Sequence, residues 1–219
     1  MGNLRVVSYG SEPFSNRIEA GKLLADDIKN IVPSKSVVLG IPRGGMIVAG
    51  ELAKGISADL DVVLSRKIGA PSNPEFAIGA VSEDGKLFID IESVRQENIS
   101  ENYIEQEKNR QIREMKIRIK AYRNIKPRTV LENKIVIICD DGVATGATVQ
   151  AAVWSIRQNK PGRIILAFPV GPYDTLKRLA EEVDEVVCLR VPYSFSAVGQ
   201  FYTDFPQVDD REVLAVLRQ

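Results

Sequence analysis

Residues 135–148 read Ile-Val-Ile-Ile-Cys-Asp-Asp-Gly-Val-Ala-Thr-Gly-Ala-Thr. The uninterrupted apolar run Ile135–Ile138 predicts a strand buried on both faces. Asp140 and Asp141 then fall at its C-terminal end, small residues follow, and a helix begins near Ala147. This order fits the interior of an open α/β sheet, where ligands bind beyond the carboxyl ends of the strands. It brings two carboxylates, backbone N–H groups and a helix N-terminus to one corner. Such a corner can hold a phosphate and the hydroxyls of a sugar together.

The remaining pattern supports that architecture. Apolar spacing predicts a helix over Phe14–Asn30, with Ser15 as its N-cap. Strands are expected at 36–40, 60–64, 76–81, 135–138, 163–170 and 185–189, with a hairpin arm at 86–91. Helices are expected at 46–54, 100–123, 147–158 and 173–182. Strands alternating with helices predict an α/β fold, a doubly wound, mostly parallel sheet with right-handed crossovers. The chain of 219 residues reads as one domain over 1–219. A long helical lid insertion is expected over about 82–128. A small hood is expected over about 191–219, with the N-terminal residues a candidate contributor.

Composition removes several chemistries. There are no histidines, so Ser-His-Asp triads, histidine zinc sites and a histidine base are excluded. No Gly-x-Ser-x-Gly elbow occurs. Cys139 and Cys188 lie in apolar strand-like runs and read as buried thiols of a reducing cytoplasm. Apolar runs are too short to span a membrane, and the first ten residues do not resemble a signal peptide. Lys+Arg and Asp+Glu both total 29, so the whole chain has no basic footprint for nucleic acid. Locally, Glu101–Arg128 holds nine basic and four acidic residues. That excess reads either as a solvated helix face or as a basic lid near an anionic substrate.

Three segments carry candidate chemistry. In the first, Asp140 and Asp141 can accept hydrogen bonds from sugar hydroxyls, and can hold Mg²⁺ through water. Gly142, Val143, Ala144, Thr145, Gly146, Ala147 and Thr148 form a small-residue loop suited to a phosphate. The second is Leu39-Gly40-Ile41-Pro42-Arg43-Gly44-Gly45, a second strand ending in a glycine turn, where Arg43 can make a forked contact with phosphate oxygens. The third is Ser65-Arg66-Lys67-Ile68-Gly69-Ala70-Pro71, which follows the next strand. Beyond it, Glu75–Glu83 leads toward the expected lid, with Glu83 a candidate acid or base.

The acid-acid-small-loop string resembles the signature of the type I phosphoribosyltransferases, which bind phosphoribosyl pyrophosphate (PRPP). The resemblance implies that Asp140 and Asp141 hold the ribose while Val143–Thr148 wrap the 5′-phosphate. It implies that the Arg43-Gly44-Gly45 turn binds pyrophosphate, often through an unusual peptide geometry, and that Lys67 faces the same group. Ala144 stands where some members carry a further acid near the nucleobase, so this position does not reach an acceptor. Phe14-x-x-Arg17-x-x-Ala20-Gly21, Lys67-Ile68-Gly69-x-Pro71, Pro192-x-x-Phe195-x-Ala197-Val198-Gly199 and Tyr202-x-Asp204-Phe205 resemble a poorly characterised prokaryotic branch of that family.

The resemblance implies a glycosyltransferase that moves 5-phosphoribosyl from PRPP to a nitrogen acceptor, nucleobase-like, with Mg²⁺ as cofactor. It also implies a homodimer. Phe195, Phe201 and Tyr202 are the candidates for stacking on a planar acceptor, or else form a small aromatic core. Two other readings stand beside this one. A PRPP-sensing regulator needs a nucleic-acid surface, and only the basic Glu101–Arg128 segment favours it. A dinucleotide-binding domain lacks its Gly-x-Gly-x-x-Gly after a strand.

Overall fold

The computed structural model describes residues 2–32, 35–74 and 76–219. Six strands form one parallel sheet: β1 (Asn3–Ser8), β2 (Val37–Gly40), β3 (Asp59–Val62), β7 (Ile135–Cys139), β8 (Arg163–Val170) and β9 (Glu185–Arg190). Their spatial order is β1-β9-β8-β7-β2-β3, with every neighbouring pair parallel.

Alternation along the central strands feeds two cores. Val136, Ile138, Leu166, Phe168 and Val186 face helices α5 (Ala147–Arg157) and α6 (Tyr173–Ala180). Ile137, Cys139, Ile165, Ala167 and Val187 face α1 (Arg17–Ile28) and α2 (Gly44–Ile56). Both faces are covered, which is why the strands read as continuous apolar runs. The sheet is thus doubly wound, as the alternation predicts.

Several boundaries differ from the expectation. β1 is an additional edge strand whose residues are mostly half-buried or exposed. Asn16, not Ser15, caps α1, its side-chain oxygen accepting from the Glu19 amide at 3.0 Å. Gly44 and Gly45 form the first turn of α2 rather than a turn before it.

Between β3 and β7 lies an insertion. It holds an antiparallel sheet of β4 (Ser65–Gly69), β5 (Ala77–Ser82) and β6 (Leu87–Ile89), then α3 (Ile91–Gln96) and α4 (Glu101–Arg123). The residues expected as a lid are therefore the later part of a unit that opens at Ser65. Glu75, at the head of the stretch leading into it, lies outside the described residues.

The tail is not one cap. Residues 201–204 bond to the chain ahead of α1, with Thr203 N donating to Phe14 O at 2.7 Å and Asp204 N to Ser15 O at 2.9 Å. Helix α7 (Asp210–Leu217) instead buries Val213 and Leu217 with Met46, Val62 and Tyr122 in a separate cluster.

Candidate functional site

β2 and β7 are parallel neighbours, paired Gly40 to Cys139, so their carboxyl ends open side by side. The Ile41 amide donates to Cys139 O at 2.9 Å and ties the two exits together. Helix α2 starts after a three-residue turn from one strand and α5 after the seven-residue loop from the other. Their first-turn N–H groups lack intrahelical partners and converge on one corner. The peptide bond between Pro42 and Arg43 is cis.

Asp140 and Asp141 sit at this corner against Gly45 and Gly44. A Cβ on Gly44 would stand 2.0 Å from Asp141 Oδ2, and one on Gly45 2.6 Å from Asp140 Oδ1. Only glycine lets α2 approach the acids this closely. Asp140 Oδ1 accepts from the Asp141 amide at 2.9 Å. Burial, then the charge of Asp141, push the Asp140 carboxyl well above the ordinary carboxylate range.

Asp141 has a partner that the motif does not contain. Arg17, 7% exposed, donates from Nε to Asp141 Oδ2 at 2.7 Å. Its Nη1 donates to Pro206 O at 2.8 Å, and the guanidinium lies 3.7 Å from the centroid of the Phe205 ring. The Tyr202 hydroxyl donates to the backbone oxygen of Asp141 at 2.6 Å. Arg17 lies within Phe14-x-x-Arg17-x-x-Ala20-Gly21, so its position was marked in the sequence, but its contact with an acid 124 residues away was not.

The phosphate-suited loop runs from Gly142 to Thr148. Ala144, Thr145 and Thr148 are exposed, while Gly146 takes a positive φ of 80° as the N-cap of α5. Two side chains of α6 hold the loop from outside. Thr175 Oγ1 donates to Ala144 O at 2.8 Å, and Arg178 donates to Thr145 O at 2.5 Å. Val143 stands apart from the residues expected to face a phosphate. Its side chain is buried and its amide donates to Val170 O at 2.9 Å, so it anchors the loop from below.

Lys67 lies on β4, half-buried, and lines a cavity of about 140 Å³ together with Pro42, Arg66, Arg118 and Thr148. Arg43 is half-buried at the start of α2. The Tyr122 phenol is pushed far up by burial and by Asp210, with Arg118 and Arg43 opposing.

Other expectations are corrected. Glu83 is not open to act as an acid or base: its two oxygens accept from Arg123 at 2.7 and 2.8 Å, and Arg128 lies 3.5 Å away. Phe201 and Tyr202 are buried in the core with Phe14, so neither offers a free ring face. Phe195 is half-buried and stacks on Phe201 at 5.3 Å between centroids, leaving it alone of the three with partial exposure. Cys139 and Cys188 are buried free thiols, and burial pushes the Cys188 thiol up to about 12.

Among the described residues, no three His, Cys, Asp or Glu side chains gather as a metal cage. The hard oxygens of Asp140 and Asp141 fit a Mg²⁺ held largely by ligand oxygens and water. Among the described residues, no helix is long and apolar enough to cross a membrane.

A family model described as "Phosphoribosyl transferase domain" matches residues 16–205. The crystal structure of TT1426 from Thermus thermophilus is similar at a TM-score of 0.90 and 42% identity, covering 94% of this chain and 98% of that one. Two Mycobacterium tuberculosis relatives, from strains CDC 1551 / Oshkosh and ATCC 25618 / H37Rv, are 41% identical over 204 residues. Both carry "phosphoribosyl transferase" in their names. The match takes in 93% of this chain and 46% of each relative, so the chain spans about half the length of these curated relatives.

Proposed function

The chain belongs to the phosphoribosyl transferase family, and on that premise we propose that it transfers 5-phosphoribosyl from PRPP to a nitrogen of a nucleobase-like acceptor. One observation carries the proposal: two helix N-termini and the Asp140–Asp141 pair meet at the carboxyl ends of the adjacent strands β2 and β7. A ligand with a sugar between two phosphate-bearing ends matches that order.

In this reading Asp140 and the remaining oxygen of Asp141 accept hydrogen bonds from the ribose hydroxyls. Ala144–Thr148 receive the 5′-phosphate at the head of α5. Arg43 and Lys67 meet the pyrophosphate. The acceptor nitrogen bonds to C1 as the C1–oxygen bond to pyrophosphate breaks, and the acceptor gives up its N–H proton. Positive charge builds on the ring and negative charge on the leaving group. Asp141 favours the first and the cations the second. Mg²⁺, held by the ligand's own oxygens and through water by the acid pair, would neutralise the leaving group's charge when bound.

Replacing Asp140 and Asp141 together by Asn is expected to lower PRPP turnover on the order of 100-fold or more through lost positioning of the ribose. Pyrophosphate release, with PRPP, Mg²⁺ and pools of purines, pyrimidines and related amines, measures it. Unchanged PRPP affinity by calorimetry in that double variant would overturn the ribose assignment.

A further inference from the structure

Several cations of α4 are held in ion pairs. Lys108 pairs with Glu105, Arg110 with Glu107 and Glu114, and Arg123 with Asp61 and Glu83. These pairs hold Lys108, Arg110 and Arg123 as surface or structural charge. Arg118 differs. It lines the same cavity as Arg66, Lys67, Pro42 and Thr148, joined there by Met115 from the preceding turn of α4. Three lining side chains of that cavity are cationic and none is acidic.

Arg118 is only loosely held. Its Nε stands 3.3 Å from Asp210 Oδ1, with 35% of its side chain exposed. Charge-assisted bonds run at about 2.7–2.9 Å, so this contact is long. The same carboxylate oxygen accepts a short bond from the Tyr122 hydroxyl, which occupies it independently of Arg118. A polyanion in the cavity would offer Arg118 several oxygens in place of one shared contact.

We propose that Arg118 is a third cation of the pyrophosphate subsite, and that Asp210 at the start of the C-terminal helix competes for it. The inference rests on the transferase reading above. It makes the insertion helix part of the donor site and makes α7 a tuner of diphosphate affinity.

Calorimetry with PRPP, inorganic pyrophosphate and ribose 5-phosphate tests this on the whole chain. Arg118→Ala should bind PRPP and pyrophosphate on the order of 10-fold more weakly, as for loss of a hydrogen bond to a charged group. Ribose 5-phosphate, which lacks the diphosphate, should bind as before. Arg118→Lys should recover part of the loss. Lys116→Ala, an exposed charge on the same helix, should change nothing. Asp210→Asn should tighten pyrophosphate binding, which keeps the test open if Arg118→Ala folds poorly. If the unaltered chain binds PRPP while Arg118→Ala binds it equally well, the role of Arg118 is wrong. An equal loss for ribose 5-phosphate would also overturn it, since the effect would not be specific to the diphosphate. If the unaltered chain binds neither PRPP nor pyrophosphate, the transferase reading itself fails.

Discussion

At the scale of single residues, the corner is organised around a carboxylate that resists ionisation. Asp140 is crowded by Gly45 and adjoins Asp141, and burial and that neighbouring charge raise its carboxyl. Arg17 opposes the shift but spends its Nε on Asp141. An acid whose folded value is raised binds its proton more tightly in the folded state. The stability it lends is therefore full below the unfolded value of about 3.9 and is lost as pH rises through the folded value. Asp140→Asn carries no titrating proton at that position. Thermal melts between about pH 5 and about pH 9 should show the unaltered midpoint falling relative to Asp140→Asn as pH rises, by about 2–4 °C for each 1 kcal/mol of linkage. Parallel midpoint curves for the two chains would refute the raised carboxyl. Asp140, Asp141 and the glycines were legible in the sequence because strand, acids, turn and helix follow one another locally. Arg17 and Arg118 were not legible as site residues, nor was the bond of Tyr202 to Asp141, because these contacts depend on how distant segments dock.

Among the elements, strands with a continuous apolar run were readable, the edge strand β3 included, and the edge strand β1 was not. Strands β2, β7 and β8 announce themselves as apolar runs because both their faces are covered. β1 carries no such run, since it lies at the sheet edge and gains its place by pairing with β9. Helix α4 matches its expected span, and its Met115 and Tyr122 are buried. Its polar end was harder to foresee. There Arg123 leaves the surface and meets Asp61, whose side chain is 2% exposed, at 2.7 Å, and Glu83 at 2.7 Å. Asp61 also accepts from the Val62 and Thr129 amides at 2.7 and 2.9 Å. The guanidinium therefore joins the end of α4 to the edge of the main sheet and to the β5–β6 turn. Removing one partner leaves buried charge without its counter-ion, so Arg123→Ala should cost about 3–5 kcal/mol of unfolding free energy. Denaturant unfolding measures this, and a loss below about 1 kcal/mol would mean that the surrounding amides alone satisfy the acids.

On the scale of the whole molecule, the insertion and the phosphate-suited loop share one support. Helix α5 begins at that loop and carries Ala151 and Trp154 along its length. These pack against Ala77 and Ala80 of β5, and Trp154 lies 4.6 Å from Phe88 of β6 between ring centroids. The small alanines let the second sheet come close to the helix, and the two large rings fill the rest of the contact. Trp154 also donates to Glu182 Oε2 at 2.8 Å, which ties it to the end of α6. This docking places β4, and with it Lys67, opposite the turn between β2 and α2, which no local pattern in the sequence could specify. The tail departs from the single hood expected of it for the same reason: its two parts bury their apolar residues in different cores. Trp154→Ala should therefore loosen the insertion first. A large-to-small change at a buried aromatic costs about 3–5 kcal/mol. The loss should appear in amide exchange as lower protection in β4, β5 and β6, with β8 and β9 less affected. Because β4 carries Lys67, pyrophosphate affinity should fall in the same variant although Trp154 lies outside the cavity lining. A uniform loss of protection across both sheets would show instead that the insertion and the main sheet unfold as one unit. Unchanged pyrophosphate affinity alongside a loosened insertion would separate Lys67 from the leaving group.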